Sequence, residues 1–192
     1  MPGPLTVIMP KKLIVPDEVT GGLDSVAVRC PSHPIARALI SAAGVAIAAP
    51  SANISGYPSP VSASHVIHDL NGKIDAVLCA EDCKVGVEST VVSLVTSPPR
   101  LLRPGAVTVE QLREVLPDLV VDDAVLSELK STEKAASPGM KYKHYAPDGD
   151  VNYLPEGEEG VCAVKSAKGK TALLVSAERW NELQQEVSPD FL

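Results

Sequence analysis

Gly44-Val45-Ala46-Ile47-Ala48-Ala49 runs directly into Pro50-Ser51-Ala52-Asn53-Ile54-Ser55-Gly56-Tyr57-Pro58-Ser59-Pro60. The first six residues are nearly all apolar. They are long enough for a strand covered on both faces and too short for a convincing helix. The following eleven are rich in hydroxyls and turn formers, so they read as a loop at the carboxyl end of that strand. In layered α/β proteins this is where ligands sit. Small residues let a backbone approach a ligand closely, and serine hydroxyls and an asparagine amide can donate to phosphate oxygens. A turn that only caps the next helix accounts for the same residues. No Gly-Lys-Ser/Thr follows, so this is not a Walker-type phosphate loop.

Outward from this point the chain alternates short apolar runs with helical spacing. Toward the N-terminus, Leu5 to Met9 and Ser25 to Arg29 read as strands, and Ile35 to Ala43 as a helix after Pro34. Toward the C-terminus a helix is expected from about Ser62 to Asp69, stopped by Asn71-Gly72. Strands are expected over 76–79, 89–95 and 100–102. Thr108 suits the N-cap of a helix reaching Val115. Residues 122–134 read as a loose helix and 135–149 as an ordered linker. Beyond Val151 one strand (171–175) and one helix (177–187) stand out, which are too few to close a core. The pattern is that of an α/β protein.

Composition agrees with this. Hydrophobic residues make up 45% of the 192-residue chain and aromatic residues only 3%, so the core is built from Val, Ile, Leu and Ala. The formal net charge of −7 disfavours broad capture of nucleic acid. Any RNA contact would be weak and local, at Lys141-Tyr142-Lys143-His144. Of the four cysteines, Cys30, Cys79, Cys83 and Cys162, only Cys79 and Cys83 lie close together, no His or second Cys pair sits at zinc-like spacing, and no metal site is expected. No signal peptide and no membrane-length apolar run is present, so a cytoplasmic protein is expected.

Three further segments carry chemistry. Val85-Gly86-Val87-Glu88-Ser89-Thr90-Val91-Val92 brings a glycine and two hydroxyls to a strand entrance, where Ser89 can bond a small polar ligand or belong to a plain edge strand. Leu101-Leu102-Arg103-Pro104-Gly105 ends a strand on a guanidinium, suited to clamping phosphate or to a surface ion pair. Arg29 ends its strand similarly and suits a ligand carboxylate or an internal acid. Lys141 to Pro147 offers an aromatic face and cations for stacking on a purine. No residue is singled out as catalytic.

In order, Pro2-Gly3-Pro4-Leu5-Thr6, Val26-Ala27-Val28-Arg29, Ala49 to Asn53 with Ser55-Gly56, Gly86 to Val92, Leu102 to Gly105 and Ser137 to Pro147 closely resemble successive motifs of the Sua5/YrdC family. That resemblance implies a partial YrdC-like twisted mixed sheet with flanking helices over 1–120. It also implies a linker closing over the active site at 121–150, and the beginning of a small Rossmann-like domain at 151–192. It implies L-threonylcarbamoyladenylate synthesis. Threonine and bicarbonate form a carbamate whose oxygen attacks the α-phosphate of ATP, with loss of pyrophosphate. The product passes to tRNA-modifying transfer proteins acting at adenosine 37, and Mg2+ accompanies the ATP.

Position by position, the resemblance assigns Ser25, Ser51, Asn53, Ser59 and Arg103 to ATP, and Arg29, the backbone at Ala49, and Ser89 to threonine. Tyr142, His144 or Tyr145 would touch the nucleotide from the linker. The family's N-terminal Pro-Thr-x-Thr-x-Tyr-Gly-Leu and Lys-x-Arg motifs are absent, and Met1 stands where members usually carry Trp. From this the chain is expected to start inside a longer product, to stop short of a full C-terminal domain, and to be nearly inactive alone. A double-stranded-RNA-binding module without catalysis is the alternative. A carbamoyl-transfer relative is a third reading, disfavoured by the cysteine pattern.

Overall fold

The computed structural model describes residues 1–126 and 150–186. The chain divides into two compact units, Met1–Ala146 and Pro147–Leu192.

The first unit is organised by one five-stranded mixed sheet in the order β2-β1-β3-β4-β5. Its strands are β1 (Leu5–Pro10), β2 (Ser25–Arg29), β3 (Thr90–Ser93), β4 (Arg100–Arg103) and β5 (Val120–Val121). β1 lies between β2, antiparallel to it, and β3, parallel to it. β4 is antiparallel to β3 and parallel to β5, with a register irregularity between Val91 and Val92. Side chains alternate across the sheet, so the register sorts them into two sets. On one face Val92 and Leu101 form a core with Leu112 and Leu119, and Leu5 packs against it. On the other, Ile8 and Val91 form a second cluster with Leu102.

Helices α1 (Asp17–Thr20), α2 (Pro34–Ala43), α3 (Ala63–Leu70), α4 (Val109–Arg113) and α5 (Asp123–Leu126) complete the described part of this unit. α4 starts on a reciprocal capping box. Thr108 Oγ1 accepts from Gln111 N–H at 3.3 Å, and Gln111 Oε1 accepts from Thr108 N–H at 3.0 Å. The box aims Leu112 at the core. At α2, His33 Nδ1 accepts from Ile35 N–H at 3.2 Å, so in the neutral ring the proton sits on Nε2. That nitrogen comes within 3.4 Å of Glu81 Oε1. α2 ends on Gly44 at φ 66°, the left-handed conformation that glycine adopts without strain.

The α/β organisation expected from the pattern and the mixed sheet implied by the resemblance are both present, and several element assignments change. Residues 44–49 are not a strand; they run as exposed irregular chain. An apolar run becomes a strand only when a neighbour takes its N–H and C=O groups, and among the described residues none pairs with it. The same holds for 76–79. β5 escapes sequence reading because two residues carry no periodicity. α1, read as turn-rich sequence, is a single turn closed by Gly21.

The second unit holds α6 (Gly157–Ser166), which sequence pattern missed, and α7 (Ala177–Leu183), shorter than expected. α6 is weakly amphipathic, yet Val164 is buried on it, as Leu183 is on α7. Residues 171–175 alternate between partly buried and exposed as a strand would, but no described residue of this unit pairs with them.

Candidate functional site

Four strands bring one side chain each to a single row across the sheet. Arg29 closes β2, Thr6 lies opposite it on β1, Ser89 stands at the entrance of β3, and Arg103 closes β4. The alternation that sends Leu5 and Val92 to one core puts Thr6, Arg29 and Ser89 on the opposite face. Arg103, two residues after the core residue Leu101, reaches Ser89 beside the register irregularity between Val91 and Val92.

Their contacts are dense. Arg29 Nη2 donates to Ser89 Oγ at 2.6 Å and Arg29 Nε donates to Thr6 Oγ1 at 2.9 Å. The hydroxyls of Thr6 and Ser89 are 2.8 Å apart. Arg103 forks onto the Ser89 carbonyl, from Nε at 3.1 Å and Nη2 at 3.0 Å, and Nη2 also reaches Ser89 Oγ at 3.3 Å. Thr6 and Ser89 are both buried. Two guanidinium groups therefore converge on one serine. Among the described residues, no carboxylate lies within ion-pair distance of either.

The electrostatic consequence is visible in Arg29. Burial first, and the Arg103 charge second, hold its guanidinium below the ordinary arginine range. Arginine stays protonated regardless, so the cost remains as repulsion between two cations. An anion placed beside them relieves it. The arrangement suits a carboxylate or phosphate and offers no ligands for a cation. Among the described residues no group of three or more His, Cys, Asp or Glu is placed to hold a metal ion. A magnesium ion does not fit these side chains.

The turn after β4 is locked onto the same place. Thr90 Oγ1 donates to Val107 C=O at 2.8 Å and accepts from Val107 N–H at 3.0 Å. A Cβ on Gly105 would lie 2.5 Å from Thr90 N and 2.6 Å from Glu88 O. Only glycine lets the Arg103-Pro104-Gly105 turn approach the entrance of β3 this closely.

The other expected residues lie apart from this row. Ser25 begins β2, four extended residues or about 13 Å from Arg29 on the same face. Ala49 and Ser51 are exposed. Asn53 Nδ2 donates to the carbonyls of Ile54 and Tyr57, both at 2.9 Å, and so staples the turn that follows. Its Oδ1 is buried without a partner, as is Ser59 Oγ. These are two polar atoms that a ligand could satisfy. Just beyond this loop, Cys83 N–H donates to Val61 C=O at 2.8 Å. Tyr142, His144 and Tyr145 lie outside the described residues. Sequence reading missed Thr6 and Thr90 as site-building residues, because threonine in a strand is unremarkable. The one signal for Thr6 was a hydroxyl at the strand position sharing a face with Ile8.

Fold and row together define the class: an α/β protein whose mixed sheet carries paired arginines and buried hydroxyls at one end, an arrangement suited to an anionic ligand. Comparisons with known proteins narrow this class. Residues 1–105 match the Sua5/YciO/YrdC family, described as telomere recombination. Residues 107–190 match the family described as the C-terminal domain of threonylcarbamoyl-AMP synthase. The threonylcarbamoyl-AMP synthase of Pyrococcus abyssi is 51% identical over 150 residues, covering 78% of this chain and 44% of that protein. The Bacillus subtilis enzyme is 50% identical over 150 residues, covering 76% and 42%. The Schizosaccharomyces pombe enzyme is 40% identical over 203 residues, covering 94% and 48%. The crystal structure of P. abyssi Sua5 complexed with L-threonine superposes with a TM-score of 0.72 at 51% identity, covering 76% of this chain and 42% of that one. The chain belongs to the Sua5/YrdC family and, through its second match, to the Sua5-type branch. It spans less than half the length of these relatives.

Proposed function

We propose that this chain takes part in making L-threonylcarbamoyladenylate for tRNA modification, and that the Arg29–Thr6–Ser89–Arg103 row grips the anionic ends of the substrates. The observation that carries the reading is the pair of guanidiniums meeting on Ser89 with no acid beside them among the described residues. Family membership supplies the chemistry. The amine of L-threonine condenses with bicarbonate to a carbamate with loss of water. A bond forms from the carbamate oxygen to the α-phosphorus of ATP, and the bond from that phosphorus to the α,β-bridging oxygen breaks to release pyrophosphate.

In this reading Arg29 takes the threonine carboxylate, and Ser89 fixes where that carboxylate sits. Arg103 faces the nucleotide phosphates. The Asn53 and Ser59 acceptors, with Ser25, Ser51 and the Ala49 backbone, hold the remainder of the ATP. The protein's work is mainly positioning and charge neutralisation as pyrophosphate leaves. Magnesium would arrive held by the nucleotide phosphates, since the described side chains do not fit it. The product would go to the transfer proteins that act on the tRNA.

Activity of the isolated chain is proposed to be weak. Two cations serve both a carboxylate and a triphosphate here, and Ala49 and Ser51 make no described contact with the row. The test is direct. Isothermal titration of the 192-residue chain with L-threonine should show saturable binding that Arg29→Gln abolishes, with ATP- and threonine-dependent pyrophosphate release at or near background; ready release would overturn the expected near-inactivity. Salt-sensitive binding of double-stranded RNA with no threonine binding would replace this reading with the RNA-binding one. Among the described residues no helix is long and apolar enough to cross a membrane.

A further inference from the structure

The hydrogen bonds around Ser89 single out Thr6, a residue to which the resemblance assigned no role. Ser89 Oγ has two lone pairs, and both are taken, by Arg29 Nη2 at 2.6 Å and Arg103 Nη2 at 3.3 Å. Its own proton must therefore go to Thr6 Oγ1, 2.8 Å away. Thr6 Oγ1 then accepts from both Ser89 and Arg29 Nε, which fills its two lone pairs as well. Among the described residues, Thr6 is the one side chain hydrogen-bonded to both the Arg29 guanidinium and Ser89. It is buried, and β-branched, so its χ1 is stiff. With Nε and Nη2 of Arg29 both committed, its Nη1 edge has no protein acceptor among the described residues.

We infer that Thr6 is the positioning residue of the site: its oxygen sets the rotation of the Arg29 guanidinium and so turns the Nη1 edge toward the anionic ligand. This deepens the threonine-binding reading and rests on it only for the identity of the ligand. The orientation of Arg29 is a property of the free protein. A valine at this position keeps shape and strand propensity but removes the acceptor. A serine keeps the acceptor.

Two measurements separate the two layers. In the free chain, 15N NMR should show the Arg29 Nε–H protected from exchange. Thr6→Val should abolish that protection and Thr6→Ser should restore it. Val91→Ala, a cavity beside the row with no hydrogen bond to it, serves as the packing control and should leave the Arg29 signal protected. In titrations with L-threonine, Thr6→Val should weaken binding about tenfold, as expected when a charged donor loses its acceptor. Thr6→Ser should stay within about threefold of the parent. An Arg29 Nε–H that remains protected in a folded Thr6→Val protein overturns the inference, whatever the titration gives. Failure of the parent chain to bind L-threonine, with Arg29 protection lost in Thr6→Val as expected, overturns the ligand assignment and leaves the positioning role standing. If Thr6→Val does not fold, Thr6→Ser must retain both protection and affinity, and loss of either overturns the role.

Discussion

Replacing Gly105 by alanine adds one carbon to the molecule's closest backbone approach in the site region. That carbon would lie 2.5 Å from Thr90 N, 2.6 Å from Glu88 O and 2.8 Å from Thr90 Oγ1. The nearest of these is about 0.9 Å short of ordinary van der Waals contact. Two of the three obstacles are backbone atoms of the segment entering β3, where no rotamer can yield. Either the Arg103–Val107 turn lifts off, or the segment entering β3 shifts. Either movement breaks the paired Thr90–Val107 hydrogen bonds at 2.8 and 3.0 Å. Overpacking of this kind costs about 1–3 kcal/mol, and a backbone obstacle places it near the upper end. Losing this part-buried pair of hydrogen bonds adds about 1 kcal/mol. A total of about 3–4 kcal/mol should lower the melting temperature of the first unit by roughly 6–16 °C. Circular dichroism melts of Gly105→Ala against the parent chain read this directly. Gly44→Ala is the comparison: a Cβ there meets nothing within 4 Å, so only the left-handed backbone at φ 66° is penalised, by about 1–2 kcal/mol. A Gly105→Ala melt within 2 °C of the parent, or a larger loss in Gly44→Ala, would refute the argument from close approach.

Thr90→Val leaves the Val107 N–H and C=O without their side-chain partner; about 1–2 kcal/mol of stability should be lost in urea denaturation. Arg103→Lys keeps the charge but cannot fork onto the Ser89 carbonyl, so ATP affinity should fall about tenfold or more while the Arg29 Nε–H signal is retained. Thr108→Ala removes one half of the capping box of α4, with an expected loss of about 1 kcal/mol in the same denaturation experiment. Glu81 is held below the usual carboxylate range by its own backbone N–H and then by His33, so 13C NMR should find its carboxyl titrating at lower pH than a free glutamate. Because its folded-state value is depressed, the stabilisation is present above the unfolded value and disappears as pH falls through the folded one. His33→Ala should move the titration back upward.

The parts of the site legible in the sequence were those at strand ends. Arg29, Ser89 and Arg103 each stand where an apolar run meets a turn former, so pattern alone placed them at the sheet's rim. The structure brings those three together within hydrogen-bonding distance. The segment that first drew attention, 44–60, fared differently. Its apolar half reads as a buried strand, yet pairing is a property of two segments and periodicity sees only one. The loop half is ordered by Asn53, as its turn chemistry suggested, but no hydrogen bond among the described residues joins it to the arginine row. Thr6 and Gly105 stayed hidden for different reasons. Threonine is an ordinary strand former, so its second role appears only when Arg29 and Ser89, far away in sequence, arrive beside it. Gly105 read as the end of an Arg-Pro-Gly turn, and nothing in a turn signature says that another backbone will pass within contact of it.

The placement of β1 explains why the row exists at all. That strand alone touches both the antiparallel partner carrying Arg29 and the parallel partner preceded by Ser89. Its alternation sends Leu5 to the core of Val92, Leu101 and Leu112, while Ile8 joins Val91 and Leu102 on the opposite face. Thr6 shares the face of Ile8, so the apolar residues that fix the register also fix where the hydroxyl points. A slip of one residue would turn Leu5 and Val7 toward the arginines and bury Thr6 in the aliphatic core. Arg29 Nε would then lose its acceptor and Ser89 its proton acceptor, leaving buried polar groups unsatisfied in addition to the misplaced apolar ones. The same side-chain pattern therefore discriminates the native register twice, once through packing and once through the anion site. The site depends on the core for its geometry, and the register of the core is reinforced by the hydrogen bonds of the site.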